Sequence, residues 1–168
     1  MFKVNDYVVY GLTGVCKIAD IRKDEYVSND ENQYYILKPV SDQNMTIRIP
    51  VNNKNVLMRP VINKEDALSL IAKMPEKETI WTDDERQRSV GFKAALRSAK
   101  SEEWVKIVKT LYLEKEARSE VGKKLTKTDE EIMNTAEKHL TEEFAIALDI
   151  PQDQVVSYIL EHIHENKE

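Results

Sequence analysis

The residues able to do acid–base or metal chemistry are few and poorly arranged. The histidines are His139, His162 and His164. His162 and His164 stand two apart, which on a helix turns them about 200° from each other, wrong for a shared metal. They read as structural or solvated histidines. One cysteine, Cys16, allows no internal disulfide and no Cys-rich metal site, and it fits a reducing cytoplasm. No nucleophile elbow, phosphate loop or dinucleotide fingerprint occurs, and the chain holds 4 glycines in all. Acidic pairs such as Glu142-Glu143 fit a solvated helix face. No catalytic or metal-ligating residue and no cofactor is therefore expected, and the chain reads as a non-enzyme.

Binding chemistry is better represented. Arg86, Lys93, Arg97 and Lys100 follow one another at spacings of seven, four and three. On one helix they fall within about 60° of each other. Phe92, Ala95 and Leu96 fall roughly opposite, as a core-facing stripe. Such a basic face could neutralise a few phosphates, and it could equally be a solvated face. Trp81 stands at the head of that helix, either as a core or inter-domain residue or as an exposed wedge that stacks on bases. Trp104, amid Val105, Ile107 and Val108, reads as core.

These residues need elements to position them. The first sixty residues read as five short strands: Tyr7–Tyr10, Val15–Ile21, Tyr34–Leu37, Met45–Ile49 and Val56–Met58. Val15, Lys17, Ala19 and Ile21 alternate with Cys16, Ile18 and Asp20. Met45, Ile47 and Ile49 point inward while Thr46 and Arg48 point outward. Turn signals stand at Gly11–Gly14, Ser28-Asn29-Asp30 and Asp42-Gln43-Asn44. Five strands in so short a span predict a bent antiparallel barrel of SH3 or Tudor type with an exposed edge strand.

The remainder reads as helices. Asn63 caps one that runs through Lys73, Thr82 or Asp83 caps the next, and Ser101 caps one of about twenty residues. Thr128 to Glu131 forms a capping box for a helix ending near Leu148, and Pro151 opens a last helix over 151–164. The fold class is α+β: a five-stranded SH3/Tudor-like barrel over 1–60, then a compact all-α domain over 61–168. The polar, proline-containing stretch 74–79 is the expected linker.

Composition agrees with a folded chain. Of 168 residues 41% are hydrophobic, enough for a core, and no apolar run approaches the roughly 20 residues of a membrane helix. The start of the chain lacks the basic and apolar regions of a secretory signal. The net charge of -5 argues against a generally basic nucleic-acid coat protein. It is uneven: residues 1–60 carry 8 basic and 7 acidic groups, residues 61–168 carry 17 and 23.

Phe2 to Tyr10, followed by Gly14-Val15, resembles the start of bacterial CarD/CdnL-family transcription regulators. Tyr34 to Lys38 is similar to their third strand, and Met45 to Val51 to their alternating signature around an arginine and a proline. Phe92 to Leu96, Leu111 to Leu113 and the stretch from Ala136 to Leu148 look like their helical domain. The short N-terminal module is similar to that of transcription–repair coupling factor.

The resemblance implies a barrel whose edge strand pairs with the β subunit of RNA polymerase. It also implies a helical domain that touches promoter DNA at the upstream edge of the transcription bubble. There a tryptophan wedges into the minor groove, basic residues hold phosphates, and the open promoter complex lives longer, often at ribosomal RNA promoters. Arg48 matches the polymerase-facing arginine, Thr46 shares its strand, and Arg22 is the nearest match for a second basic contact. On the DNA side stand Trp81, Arg86, Lys93, Arg97 and Lys100, with Arg88 four residues before Phe92, where the family places its wedge. No cofactor, no membrane and a cytoplasmic monomer are expected. The rival reading is an adaptor that binds polymerase without touching DNA, favoured by Asp83-Asp84 beside the tryptophan. A third, a metal-dependent hydrolase, lacks a ligand set.

Overall fold

The computed structural model describes residues 1–23, 33–76 and 80–165. The chain divides into two compact units, Met1–Val61 and Ile62–Glu168. The expected turn at 28–30 lies outside the described residues. The 74–79 stretch is no linker as far as it is described. Met74–Glu76 is a 3-10 turn closing the first helix of the second unit, and the Met74 side chain is buried.

The first unit is an antiparallel sheet of β1 (Tyr7–Tyr10), β2 (Gly14–Lys23), β3 (Gln33–Pro39), β4 (Ile47–Pro50) and β5 (Met58–Pro60), ordered β4-β3-β2-β1-β5. The sheet is open, with β4 and β5 at its ends, so the expected exposed edge is present while the strands do not close into a barrel. Its core is Val8, Cys16, Ile18, Tyr35, Leu37 and Ile49. Alternation places Cys16 and Ile18 there, but a bulge between Ile18 and Asp20 inserts one residue. Ile21 thereby packs on the same core as Ile18, where strict alternation would have turned it away.

Two strand ends shift for local reasons. Asp42 accepts from the Asn44 N–H at 3.0 Å and its carbonyl from Met45 N–H at 3.2 Å, so Met45 belongs to a turn and is exposed. Asn53 Oδ1 accepts from the N–H groups of Asn55 and Val56, holding Val56 in a loop before β5. At the β1–β2 turn, Gly11 has φ +45° and a Cβ there would meet the Val56 side chain at 2.9 Å, so glycine is favoured.

The second unit holds α1 (Lys64–Lys73), α2 (Glu85–Arg97), α3 (Ser101–Glu120), α4 (Lys127–Leu148) and α5 (Val155–Glu165). Asn63 caps α1 through Asp66 N–H, as the sequence predicts. The cap of α2 is Asp84, one residue past the predicted pair, and that of α4 is Thr126, two residues before the predicted box. Ser101 is the first residue of α3, and its hydroxyl bonds the Glu143 carboxylate. Phe92, Trp104, Ile107, Leu111, Ala136 and Phe144 lie in the core. No helix among the described residues is long and apolar enough to cross a membrane.

Glu142 and Glu143, expected on a solvated face, are buried. Burying a carboxylate is costly without partners. Glu143 accepts from Ile62 N–H at 3.1 Å and from Ser101, tying the entry of α1 and the start of α3 to α4. His139 is likewise buried, its ring 5.3 Å from that of Trp104, a structural position.

Candidate functional site

In the first unit the chemistry gathers on β4. Val51 N–H donates to Gln33 C=O at 2.9 Å. Bonded and non-bonded pairs alternate along an antiparallel ladder. Ile49 and Ile47, opposite Tyr35 and Leu37, thus turn their backbone groups toward β3. Arg48 turns its N–H and C=O outward, and no strand among the described residues covers that side. Pro50, which has no N–H to offer, sits at the other outward position.

The Arg48 side chain leaves the sheet on the face opposite the core. Its guanidinium lies 3.8 Å from the centre of the Tyr34 ring, and the residue is exposed. Arg22 stands directly opposite Tyr34 on β2, so the bulge and the register bring Arg22 and Arg48 to one aromatic platform. Arg22 also donates to Asp20 at 2.9 Å. That bond, then the Ile21 N–H, hold the Asp20 carboxyl below its ordinary range. Part of the Arg22 charge is therefore already answered, whereas Arg48 has no carboxylate partner among the described residues. Thr46 is exposed just before β4. Tyr34 was not singled out by sequence reading, although alternation with the buried Tyr35 carries the signal.

In the second unit Arg86, Lys93 and Arg97 are exposed on α2 with no carboxylate partner among the described residues. Lys100 is exposed too but does not extend that helix. Ala99 adopts φ +53°, breaking it, and Lys100 instead caps α3. Arg88 corrects its expected DNA-facing role. It is 4% exposed and grips buried Asp129 with Nε and Nη2 at 3.2 and 2.8 Å, while Nη1 donates to Thr82 C=O at 3.1 Å. The Asp129 bond raises the guanidinium pKa further, against the opposing effect of burial, so it stays charged. Its guanidinium is buried and paired inside the fold, away from any phosphate at the surface.

Trp81 lies before α2, half-buried. Its ring packs 4.2 Å from the Arg88 guanidinium and 5.8 Å from that of Arg118, and Nε1 donates to Asp83 at 3.0 Å. Trp81, Arg88 and Phe92 line part of a groove of about 630 Å³ along α2, with Gln87, Lys100 and Glu103 also in its wall. Among the described residues no cluster of His, Cys, Asp or Glu could hold a metal.

No curated protein matches the chain. A family model does: residues 2–62 match the CarD-like/TRCF RID domain, ending where the first unit ends. The open sheet, its free β4 edge and the Arg48 platform all lie within that span, and the first unit of this chain is a CarD-like RNA-polymerase-interacting domain, similar to that of transcription–repair coupling factor.

Proposed function

We propose that the chain is a transcription regulator that docks the β4 edge on the β subunit of RNA polymerase. Its helical unit then contacts promoter DNA at the upstream edge of the bubble and lengthens the life of the open complex. The observation that carries the reading is the outward backbone of Arg48 on an uncovered edge, within a domain of a polymerase-interacting family. Strand addition at such an edge supplies affinity through the main chain and specificity through side chains. The test is the lifetime of an open complex formed by purified polymerase with and without the protein, which should rise with it.

Arg86, Lys93 and Arg97 supply the DNA contacts in this reading, with Lys100 beside them. So few cations on a unit rich in acids bind DNA weakly alone. The expected dissociation constant for free duplex is on the order of 10⁻⁴–10⁻⁶ M, sequence-independent and salt-sensitive. Charge reversal at Arg86, Lys93 and Arg97 should abolish the effect on open-complex lifetime. Nanomolar binding to a defined duplex without polymerase would contradict the reading.

Trp81 stacks on DNA bases in the same reading. Trp81→Ala should leave polymerase binding unchanged, shorten open-complex lifetime, and cost about 1–2 kcal/mol of stability for a half-buried ring and its cation–π contact. A loss of about 3–5 kcal/mol in a melt would assign Trp81 to core packing instead. One feature favours the adaptor reading: Asp83, Asp84 and Glu85 follow closely after Trp81 in the chain, and Asp83 holds the indole N–H. Salt-sensitive binding of a polymerase–protein complex to an upstream-fork promoter fragment separates the two, because the adaptor adds nothing to it.

A further inference from the structure

Tyr7, Lys17 and Lys38 form one row across three strands of the N-terminal sheet, Tyr7 opposite Lys17 and Lys17 opposite Lys38. Their neighbours Cys16, Ile18 and Leu37 face the core, so both amines leave from the other face. Like charges directly opposite in an antiparallel pair repel. No carboxylate of a described residue pairs with either lysine. The described acids of this unit are engaged elsewhere. Asp6 accepts from Lys3 N–H at 2.8 Å, Asp20 from Ile21 N–H and Arg22, and Asp42 from Asn44 N–H.

Beside the row lies a pocket of about 410 Å³ with Asn5, Tyr7, Lys17, Lys38 and Gln43 in its wall. Two lysines, two amide side chains and a tyrosine line it together with Ala19 and Val40, and among the described residues no carboxylate does. That set offers donors and positive charge to an oxyanion. The pocket continues the β4 surface. Lys38 lies on β3, four residues from Tyr34, roughly 13 Å along the same face that carries Arg22 and Arg48.

We infer that this pocket is a second contact with the docked protein and receives a cluster of adjacent Asp and Glu side chains from it. The inference rests on the reading that β4 docks polymerase. Complementary charge of this kind acts chiefly on the association rate and its salt dependence.

The test uses the full chain and polymerase core enzyme, with Lys17→Gln/Lys38→Gln compared with the unsubstituted protein at low and moderate salt. The expected result is an association rate lowered about tenfold at low salt, a flatter salt dependence and a nearly unchanged dissociation rate. The melting temperature stays the same or rises, because the repelling row is relieved. Lys38→Gln alone gives a smaller change in the same direction. Unaltered association with the folded double variant overturns the inference, even while Arg48→Glu still weakens binding. Failure of the unsubstituted protein to bind polymerase overturns the docking reading itself. An effect seen only when promoter DNA is present identifies the occupant as nucleic acid and also overturns the inference.

Discussion

Arg88→Ala or Asp129→Ala should destabilise the helical unit by about 3–5 kcal/mol, because each leaves one buried charge without its partner. The two groups are 4% and 1% exposed, and they share two hydrogen bonds across 41 residues of chain. Asp129 lies in the first turn of α4, where the helix dipole also favours a negative charge. Arg88→Lys should recover little, since a single ammonium cannot span both carboxylate oxygens and the Thr82 carbonyl. Arg88→Met/Asp129→Leu should restore most of the loss, as an apolar pair of similar volume removes both desolvation penalties. Raising the pH offers no route to breaking the pair. A raised guanidinium pKa keeps the stabilisation complete below the ordinary arginine value and loses it only on passing the raised one. Urea melts check the series. Single variants with midpoints like that of the unsubstituted protein would show that the pair contributes nothing. Trp81 emission should shift in Arg88→Ala, because the ring loses its guanidinium neighbour.

Sequence pattern revealed Arg88 only in part. It stands four residues before Phe92 and seven before Ala95, which is the spacing of the buried stripe of α2. Its charge hid that signal, and its partner Asp129 is fixed by tertiary packing alone. Lys100 went astray because the spacing argument assumed one continuous helix, and the left-handed turn at Ala99 ends it. Ile21 shows the same limit in the sheet, where a single bulged residue reverses every later inside–outside assignment. Asn63, Phe92 and Trp104 were legible because a local cap or a strong apolar stripe decides them without distant partners. Glu143 was not, since a buried carboxylate becomes tolerable only once Ile62 and Ser101 are brought to it. Arg48 was legible as an outward residue, but Tyr34 beneath it needed the strand register.

Arg48→Glu should weaken binding to RNA polymerase tenfold or more. Losing a charge-assisted contact and introducing repulsion costs roughly 1.5–3 kcal/mol, and tenfold corresponds to about 1.4 kcal/mol. Two features make this position more sensitive than Arg22. The Tyr34 ring, 3.8 Å away, holds the guanidinium in place before binding, so less side-chain freedom is lost on docking. Arg22 already bonds Asp20, so Arg22→Glu should have a smaller effect. Arg48→Ala should fall between the unsubstituted protein and Arg48→Glu, since it removes attraction without adding repulsion. All three substitutions lie on an exposed face and should leave the melting temperature within about 0.5 kcal/mol equivalent of the unsubstituted protein. Backbone pairing along β4 survives each of them, so residual binding should persist and depend less on salt. Equilibrium binding of the full chain to polymerase core enzyme measures the series. Equal affinity for Arg48→Glu and the unsubstituted protein would remove Arg48 from the interface and leave the edge backbone alone to explain docking.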